Sequence, residues 1–124
     1  MGNTYNKRTV GTDREVQAAN YLEDNGMRIV ERNFRCRQGE IDLIGYHEGY
    51  LVFVEVKYRS TERQGHALEA VDYRKQCKIC RVADYYRYLH KVDDFTNVRY
   101  DVVAIQNGEI SWTQNAFNHV YTGR

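Results

Sequence analysis

Two acidic residues and a lysine lie in the most apolar part of the chain, residues 39–59 (GEIDLIGYHEGYLVFVEVKYR). Asp42 precedes a Glu-Gly turn signal, whereas Glu55 and Lys57 follow it within the run LVFVEVKY. A near-continuous apolar run of this length is typical of a central strand covered on both faces. Charged side chains at these positions are therefore partly buried, and burial of charge requires compensation.

The Glu-Gly turn determines which residues of the two arms face each other. We predict a hairpin with strands over residues 40–46 and 50–58, joined at residues 48–49. A two-residue or four-residue loop places Asp42 opposite Glu55, whereas a three-residue loop does not. Directly opposed residues have Cβ atoms roughly 4.5–5.5 Å apart. Two half-buried carboxylates at that distance repel each other, so a shared proton, an ammonium group or a divalent cation is needed.

A bound metal ion is the favoured explanation of how the repulsion between Asp42 and Glu55 is offset. Side chains alternate along a strand, so Lys57 shares a face with Glu55 and supplies one ammonium group. Mg²⁺ takes oxygen ligands, usually one or two carboxylates together with water and substrate phosphate. We therefore interpret the hairpin as a metal–phosphate site, with a structural pair satisfied by an arginine or backbone donors as the alternative. For Lys57 the spacing fits simple neutralisation of Glu55 as well as a catalytic role.

Two further charged residues have both a structural and a functional interpretation. Glu15 stands three positions after Thr12, and this capping-box pattern predicts that Thr12 caps a first helix. The spacing favours that role for Glu15 over a contact with the metal. Lys75 interrupts the apolar stripe of a long helix, where lysines usually extend to solvent. The less favoured alternative is that its ammonium group bends toward the carboxylates or a phosphate.

Three other features receive a structural interpretation. Cys77 and Cys80 have no second cysteine pair or suitably spaced histidine, so small buried cysteines are a better interpretation than zinc ligands. The tyrosines at positions 85, 86 and 88 stand among arginines and could stack on bases, but packing of the helix is the favoured role. Asp101, in a later strand, is interpreted as structural.

Length and composition favour one globular domain, residues 1–124, in the cytosol. No apolar stretch approaches membrane-spanning length, so we expect no membrane contact. Three cysteines, an odd number, suit a reducing compartment. The net charge of +1 argues against a chain that coats nucleic acid by charge alone. The charge is nevertheless uneven, because residues 57–81 contain seven Lys or Arg against three acids.

The element pattern predicts an α/β domain with a central mixed β-sheet flanked by α-helices. A strand, a helix and a strand in succession imply a right-handed parallel crossover, and the charged first strand is expected at an edge. Around the hairpin we predict a helix from Thr12 to Asn25-Gly26, a strand over 27–34, a loop over 60–66, a helix over 67–91, strands over 97–106 and 109–112, and a final turn or short helix.

The hairpin residues resemble a known nuclease motif. An aspartate, about a dozen residues and then Glu-x-Lys is similar to the metal-dependent core of the restriction-endonuclease-like superfamily, often written PD-(D/E)xK. Asp42, Glu55 and Lys57 take its three positions, and Ile41 stands where the motif has proline. A wider pattern resembles the YraN family of small bacterial proteins. It comprises Gly11, Glu15, Ala19, Tyr21, Leu22, Gly26, Arg32, Asn33, Arg35, residues 39–44, residues 51–57, Arg59, Gly65, residues 69–71, Lys75 and residues 100–103.

The resemblance implies a restriction-endonuclease-like fold similar to that of archaeal-type Holliday junction resolvases. In those enzymes an acid on the first helix joins the strand residues, which favours a functional role for Glu15, and for Lys75 likewise. Mg²⁺ or Mn²⁺ is the expected cofactor, and a homodimer is expected from the resemblance alone. The YraN family itself is largely uncharacterised, so the nuclease activity is an analogy with relatives.

Together these observations lead us to expect a nuclease acting on DNA rather than RNA, on branched or damaged DNA. Asp42 and Glu55 are the predicted metal ligands, aided by Glu15 and the Val56 carbonyl, and Lys57 is expected to position the attacking water. A non-catalytic nucleic-acid-binding or adaptor protein and a purely structural module are the alternatives. The expected phosphate contacts are Arg35, Arg59, Arg63 and Lys75.

Overall fold

Two helices and five strands make up the part of the chain that the structure describes. The computed structural model describes residues 7–59 and 71–121, and the side chains of residues 13–59 and 71–121. The elements are α1 (Lys7–Asp24), β1 (Arg28–Cys36), β2 (Gly39–His47), β3 (Tyr50–Arg59), α2 (Tyr73–Leu89), β4 (Asn97–Gln106) and β5 (Glu109–Phe117).

The five strands form a single sheet in the order β1-β2-β3-β4-β5. Neighbouring strands are antiparallel except for β3 and β4, which run parallel, so the sheet is mixed as predicted. The apolar strand β3 occupies the central position, and the charged strand β1 lies at an edge; both predictions are confirmed. The helices among the described residues include none that is long and apolar enough to cross a membrane.

The core has two parts, one for each helix. The α2 core contains Phe34, Ile41, Ile44, Leu51, Phe53, Val71, Ile79, Cys80, Val82, Ala83, Tyr86, Tyr100 and Val102. The α1 core contains Ala18, Ala19, Leu22, Met27, Leu43, Val52, Val54, Val103 and Ile105. Successive residues of β3 alternate between the two, which is the reason that its sequence is apolar on both faces.

Both helices begin at positions other than those predicted. Helix α1 begins at Lys7, so Thr12 lies inside it and the predicted cap at Thr12 is wrong. Helix α2 begins at Tyr73 and ends at Leu89, and its cap is Asp72, whose Oδ1 accepts a 2.8 Å hydrogen bond from the Lys75 backbone. A short polar side chain just before the helix satisfies an orphan N–H group and stops the helix from extending toward its N-terminus. Residues 67–70 of the predicted helix lie outside the described residues.

The last part of the chain forms a longer strand than predicted. β5 continues to Phe117, whereas a strand ending at residue 112 and a final turn or helix were expected. The register shifts between Tyr100 and Val102, and Phe117 then pairs with Tyr100. Their rings stack with centroids 5.1 Å apart. This long-range stacking stabilises the extension, and a local pattern does not reveal it.

Candidate metal site

The turn between β2 and β3 sets the register of the hairpin. Glu48 and Gly49 both have positive φ, +51° and +85°, as a two-residue hairpin turn requires. His47 pairs with Tyr50, and the pairing continues as far as Leu43 and Val54. The register predicted from the sequence is therefore confirmed along this ladder.

The ladder ends one pair short of Asp42 and Glu55. Instead, the backbone N–H of Val56 donates a 2.7 Å hydrogen bond to Oδ2 of Asp42. The side chain of Asp42 thus occupies a place that a backbone carbonyl would take in a regular ladder. The predicted pairing of Asp42 with Glu55 is therefore wrong, although their charges still interact.

The alternation of β2 shifts at Asp42. Ile41 and Ile44 both pack in the α2 core, although residues three apart in a regular strand point to opposite faces. Asn33 stands at the corresponding point of β1, between the pairs Arg32–Leu43 and Phe34–Ile41, and has a φ of +53°. This distortion of two neighbouring strands directs the side chain of Asp42 toward the end of β3.

Three carboxylates converge at this distortion. Glu15 of α1 and Glu40 and Asp42 of β2 each place an oxygen within 4.8 Å of the other two. All three side chains are half-buried. We call these three residues the acid cluster. Because α1 begins well before Thr12, Glu15 is an interior residue of the helix and not part of a cap.

Burial and neighbouring carboxylates make ionisation of Asp42 unfavourable. Burial and then the neighbouring charge of Glu55 raise the pKa of Asp42 to about 7, and Glu15 and Glu40 add to the rise. The hydrogen bond from Val56 opposes the rise and does not cancel it. Oxygen ligands from several carboxylates are the donor set that hard divalent cations prefer. The acid cluster therefore fits a cation such as Mg²⁺ or Mn²⁺ chemically, and such an ion would relieve the repulsion.

Glu55 lies beside the acid cluster and has a cationic partner. Lys75 Nζ is 3.0 Å from Glu55 Oε2, the Glu55 side chain being 13% exposed and that of Lys75 51%. Burial lowers the pKa of Lys75, but the charges of Glu55, Asp42 and Asp72 and the hydrogen bond to Glu55 raise it by more. Lys75 thus bends toward the carboxylates, the less favoured of its two predicted arrangements.

The other residues predicted from the Glu-x-Lys motif lie at the end of β3. Val56 and Lys57 are half-buried and pair with Val103 and Ala104 in the parallel ladder. Alternation places Lys57 on the same face as Glu55. Lys57 therefore lies next to the Glu55–Lys75 pair, on the strand that also supplies the N–H donor to Asp42.

The predicted phosphate-binding residues are in different environments. Arg35 is mostly exposed and has its Nε 3.4 Å from Glu40 Oε2. Arg59 donates from Nη1 to the Tyr58 carbonyl at 3.0 Å, and its buried Nε has no hydrogen-bond partner among the described residues. Lys75 lies on Glu55, as described above. Arg63 lies outside the described residues.

Two residues at this site were not predicted from the sequence. Glu40 belongs to the acid cluster, and its position two residues before Asp42, on the same strand, was a weak signal because it does not show the approach of Glu15. Arg14 lies on α1 with its guanidinium carbon 3.5 Å from the centre of the Tyr58 ring. The position of Arg14 next to Glu15 in the sequence was only a weak indication that Arg14 lies near the site, because neighbouring residues of a helix point in different directions.

Comparison with known proteins identifies the family. Residues 14–105 match the family described as "Uncharacterised protein family UPF0102". The chain belongs to UPF0102. The resemblance to the YraN family is thereby confirmed.

Relatives in UPF0102 match along nearly their whole length. A UPF0102 protein of Lachnoclostridium phytofermentans is 44% identical over 113 residues, which cover 91% of this chain and 96% of that one. One from Legionella pneumophila is 40% identical over 110 residues, covering 87% and 93%. One from Shewanella oneidensis is 44% identical over 109 residues, covering 88% and 99%. These relatives carry the family name and no stated activity.

A solved structure is similar in general outline. The crystal structure of a repair endonuclease from Pyrococcus abyssi superimposes with a TM-score of 0.46 and 19% sequence identity. The match covers 85% of this chain and 41% of that chain. A similarity at this level gives no correspondence between individual residues.

Proposed function

We propose that this UPF0102 protein is a divalent-metal-dependent nuclease with a restriction-endonuclease-like fold. It would hydrolyse phosphodiester bonds in DNA rather than RNA, in branched or damaged DNA. The observation that carries the proposal is the acid cluster, in which Glu15, Glu40 and Asp42 bring oxygens within 4.8 Å of one another. Burial and the neighbouring acids raise the pKa of Asp42 to about 7, which supports the proposal because a bound cation would stabilise its anion.

The acid cluster supplies the ligands for the proposed cation. Asp42 and Glu15 were expected in this role, and Glu40 joins them. Glu55 and the Val56 carbonyl remain proposed ligands, and Glu55 would exchange its contact with Lys75 for the cation. When bound, Mg²⁺ or Mn²⁺ would lower the pKa of a bound water and polarise the phosphate.

The cationic side chains around the cluster would bind and orient the substrate. Lys57 is proposed to hold the attacking water or to stabilise charge on the phosphoryl oxygens. Lys75, once released from Glu55, would offer its ammonium to a phosphate oxygen, and Arg35 and Arg59 would contact neighbouring phosphates. Contacts with phosphates carry no sequence information. The protein would therefore select its substrate by the shape of the nucleic acid.

A non-catalytic adaptor is the second candidate, and one observation favours it. Lys75 neutralises Glu55 at 3.0 Å, and Arg35 lies 3.4 Å from Glu40. An adaptor that kept the fold and bound nucleic acid through its cations would retain such pairs. The two candidates differ in one measurable property, which is turnover.

A cleavage assay tests the proposal. Linear, flapped and four-way DNA and a matching RNA are incubated with Mn²⁺ or with a chelator. We expect metal-dependent cleavage of DNA by the wild type and a loss of roughly 100-fold or more in Lys57→Ala and Asp42→Asn. Glu109→Gln, which changes an exposed acid at the start of β5, serves as the matched control and should cleave normally.

The same assay separates the alternatives. Binding of DNA without cleavage of any substrate contradicts the nuclease proposal and supports the adaptor. Cleavage that survives in both Asp42→Asn and Lys57→Ala indicates a contaminating nuclease. Absence of both binding and cleavage leaves the structural module as the remaining interpretation.

A further inference from the structure

The solvent-facing side of α2 carries a regular row of cationic and aromatic side chains. Arg74, Lys78, Arg81, Tyr85 and Tyr88 follow one another at alternating steps of four and three residues, and all five are exposed. At 3.6 residues per turn they fall within an arc of about 80° around the helix. We call these five residues the α2 stripe.

The charge of α2 is strongly positive. The helix contains five Lys or Arg residues and one acid, Asp84. Oδ1 of Asp84 lies 3.8 Å from Arg87 Nη1 and 3.4 Å from His119 Nε2. The single acid thus lies beside Arg87 and His119, and the net positive charge of the helix attracts a polyanion.

The tyrosines of α2 divide into buried and exposed ones. Tyr86 packs in the α2 core, as the favoured interpretation of these tyrosines required. Tyr85 is 40% exposed and Tyr88 79% exposed, so each ring keeps a surface that packing does not cover. Tyr85 stacks on Phe34, with ring centroids 6.2 Å apart, and this contact holds its ring in place. Tyr85 and Tyr88 therefore offer ring surface to a flat partner.

The α2 stripe begins at the end of α2 that carries Lys75. Arg74 precedes Lys75, whose ammonium group lies on Glu55. From Arg74 to Tyr88 the helix rises on the order of 21 Å, at 1.5 Å per residue. A strand that leaves the site along α2 would meet the cations first and the exposed rings afterwards.

We propose that the α2 stripe binds a single-stranded segment of nucleic acid. Its phosphates would contact Arg74, Lys78 and Arg81, and its bases would stack on Tyr85 and Tyr88. A positive surface combined with aromatic rings is the arrangement by which proteins hold single strands without reading their sequence. This inference rests on the proposed function for its choice of ligand and narrows the substrate to one with an unpaired arm beside the phosphate to be cut.

Other partners fit the α2 stripe less well. The bases of a duplex are stacked on one another and leave no face for a tyrosine ring, whereas unpaired bases do. A membrane would require an apolar helix face to insert, but the apolar face of α2 is buried against the sheet. Single-stranded nucleic acid is the partner that can contact both the cations and the exposed tyrosines of the α2 stripe.

The test measures binding without catalysis. Fluorescence anisotropy of labelled oligothymidylate is followed with the full-length protein in EDTA, so that failure of the nuclease proposal does not affect the result. We expect Tyr88→Ala to weaken binding roughly fivefold or more, as loss of one stacked base does. Phe95→Ala is the matched control, because Phe95 is 93% exposed but lies outside α2.

The role of the cations in the α2 stripe is tested by how the affinity for oligothymidylate depends on salt concentration. Lys78→Gln should reduce the slope of log affinity against log salt by about 0.7, the value for one phosphate contact on a single strand. Lys91→Gln, an exposed lysine outside α2, should leave the slope unchanged. Thermal melting of each variant verifies the fold.

Four results would overturn the inference. The first is that Phe95→Ala weakens oligothymidylate binding as much as Tyr88→Ala does, and the second is that the wild type binds an abasic strand as tightly as oligothymidylate. The third is that the wild type binds duplex DNA more tightly than single-stranded DNA. The fourth is that the stripe variants lose binding to anionic phospholipid vesicles but keep their affinity for oligothymidylate. Strand binding by the α2 stripe in a protein without cleavage activity would leave the inference standing and remove only the nuclease proposal.

Discussion

Asp42 and Asp101 belong to the same sheet and are surrounded in opposite ways. Asp101, on β4, has a fully buried side chain whose two oxygens accept four hydrogen bonds of 2.8–2.9 Å. The donors are Nε and Nη2 of Arg99, the indole N–H of Trp112 and the backbone N–H of Asn115. Nη2 of Arg99 is also 2.9 Å from His47 Nδ1.

Asp42, on β2, accepts one hydrogen bond from the described residues and is surrounded by acids. The donor is the Val56 N–H, and Glu15, Glu40 and Glu55 all raise its pKa. The different surroundings of Asp42 and Asp101 distinguish a structural carboxylate from a candidate metal ligand. Donors matched to both oxygens make Asp101 a structural element, whereas Asp42 has one such donor and three neighbouring acids that raise its pKa.

The largest expected effect comes from removing the charge of Asp101. Asp101→Asn keeps the volume but leaves the buried guanidinium of Arg99 without its anion, so we expect a loss of about 3–5 kcal/mol in the free energy of unfolding. Urea denaturation at neutral pH measures it. A loss below about 1 kcal/mol would mean that the Arg99–Asp101 pair is not structural.

The same substitution at Asp42 should have the opposite sign. Well below pH 3.8, the ordinary pKa of an aspartate, the carboxyl is protonated in both the folded and the unfolded state. Between pH 4 and about 7 the unfolded chain releases the proton while the folded protein retains it, so stability falls as the pH rises. In metal-free buffer at pH 8, Asp42→Asn should therefore be more stable than the wild type, by up to about 4 kcal/mol.

Urea denaturation of both proteins from pH 4 to pH 8 in EDTA measures this effect. The wild-type curve should decline across this interval, and the Asp42→Asn curve should be flatter. A wild type that gains stability from pH 4 to pH 7, with the gain absent in Asp42→Asn, would show that Asp42 is stabilised as an anion and contradict our account of the site.

Metal addition should sharpen the contrast between the two aspartates. Mn²⁺ at ten to a hundred times its dissociation constant should stabilise the wild type by about 1.4–2.7 kcal/mol. The increment should vanish in Asp42→Asn and Glu40→Gln and persist in Asp101→Asn, whose fold is weaker but whose acid cluster is intact. Thermal melting with and without Mn²⁺ provides the measurement, and an equal increment in all four proteins would contradict a site at the cluster.

The smallest effect is expected for the ion pair beside the acid cluster. Lys75 is half exposed, so solvent screens its attraction to Glu55, and Lys75→Met should change stability by less than about 1 kcal/mol. Arg99→Met removes the cation of a buried pair and should cost several times more. Urea denaturation of both variants makes the comparison, and equal losses would show that the Glu55–Lys75 pair is structural as well.

The parts of the fold that follow from short-range rules were predictable. The β2–β3 register follows from the Glu-Gly turn, because two residues with positive φ fix the pairing on either side. The central position of β3 follows from apolar residues on both of its faces. The start of α1 was not predictable in this way, since a capping-box pattern at Thr12 does not stop a helix whose earlier residues also favour it.

The candidate site was predictable only in part. Asp42, Glu55 and Lys57 stand out because charged residues are unusual in an apolar strand. Glu40 does not, because its partner Glu15 is 25 positions away and only the packing of α1 on the sheet brings the two together. The contact between Lys75 and Glu55 likewise depends on where α2 lies, and a lysine has several rotamers that reach solvent instead.

The sequence by itself determined the pairing of the hairpin, the central strand and the membership of UPF0102, because these depend on local backbone preferences and residue patterns. Only the tertiary structure decided which carboxylates meet. The chain places Asp42 and Asp101 in similar apolar strands, each with a charged residue two positions earlier, and the packing of other elements adds Glu15 to the first and Trp112 to the second. The electrostatic role of a buried acid is set by all its neighbours together, and the sequence shows only those on its own strand.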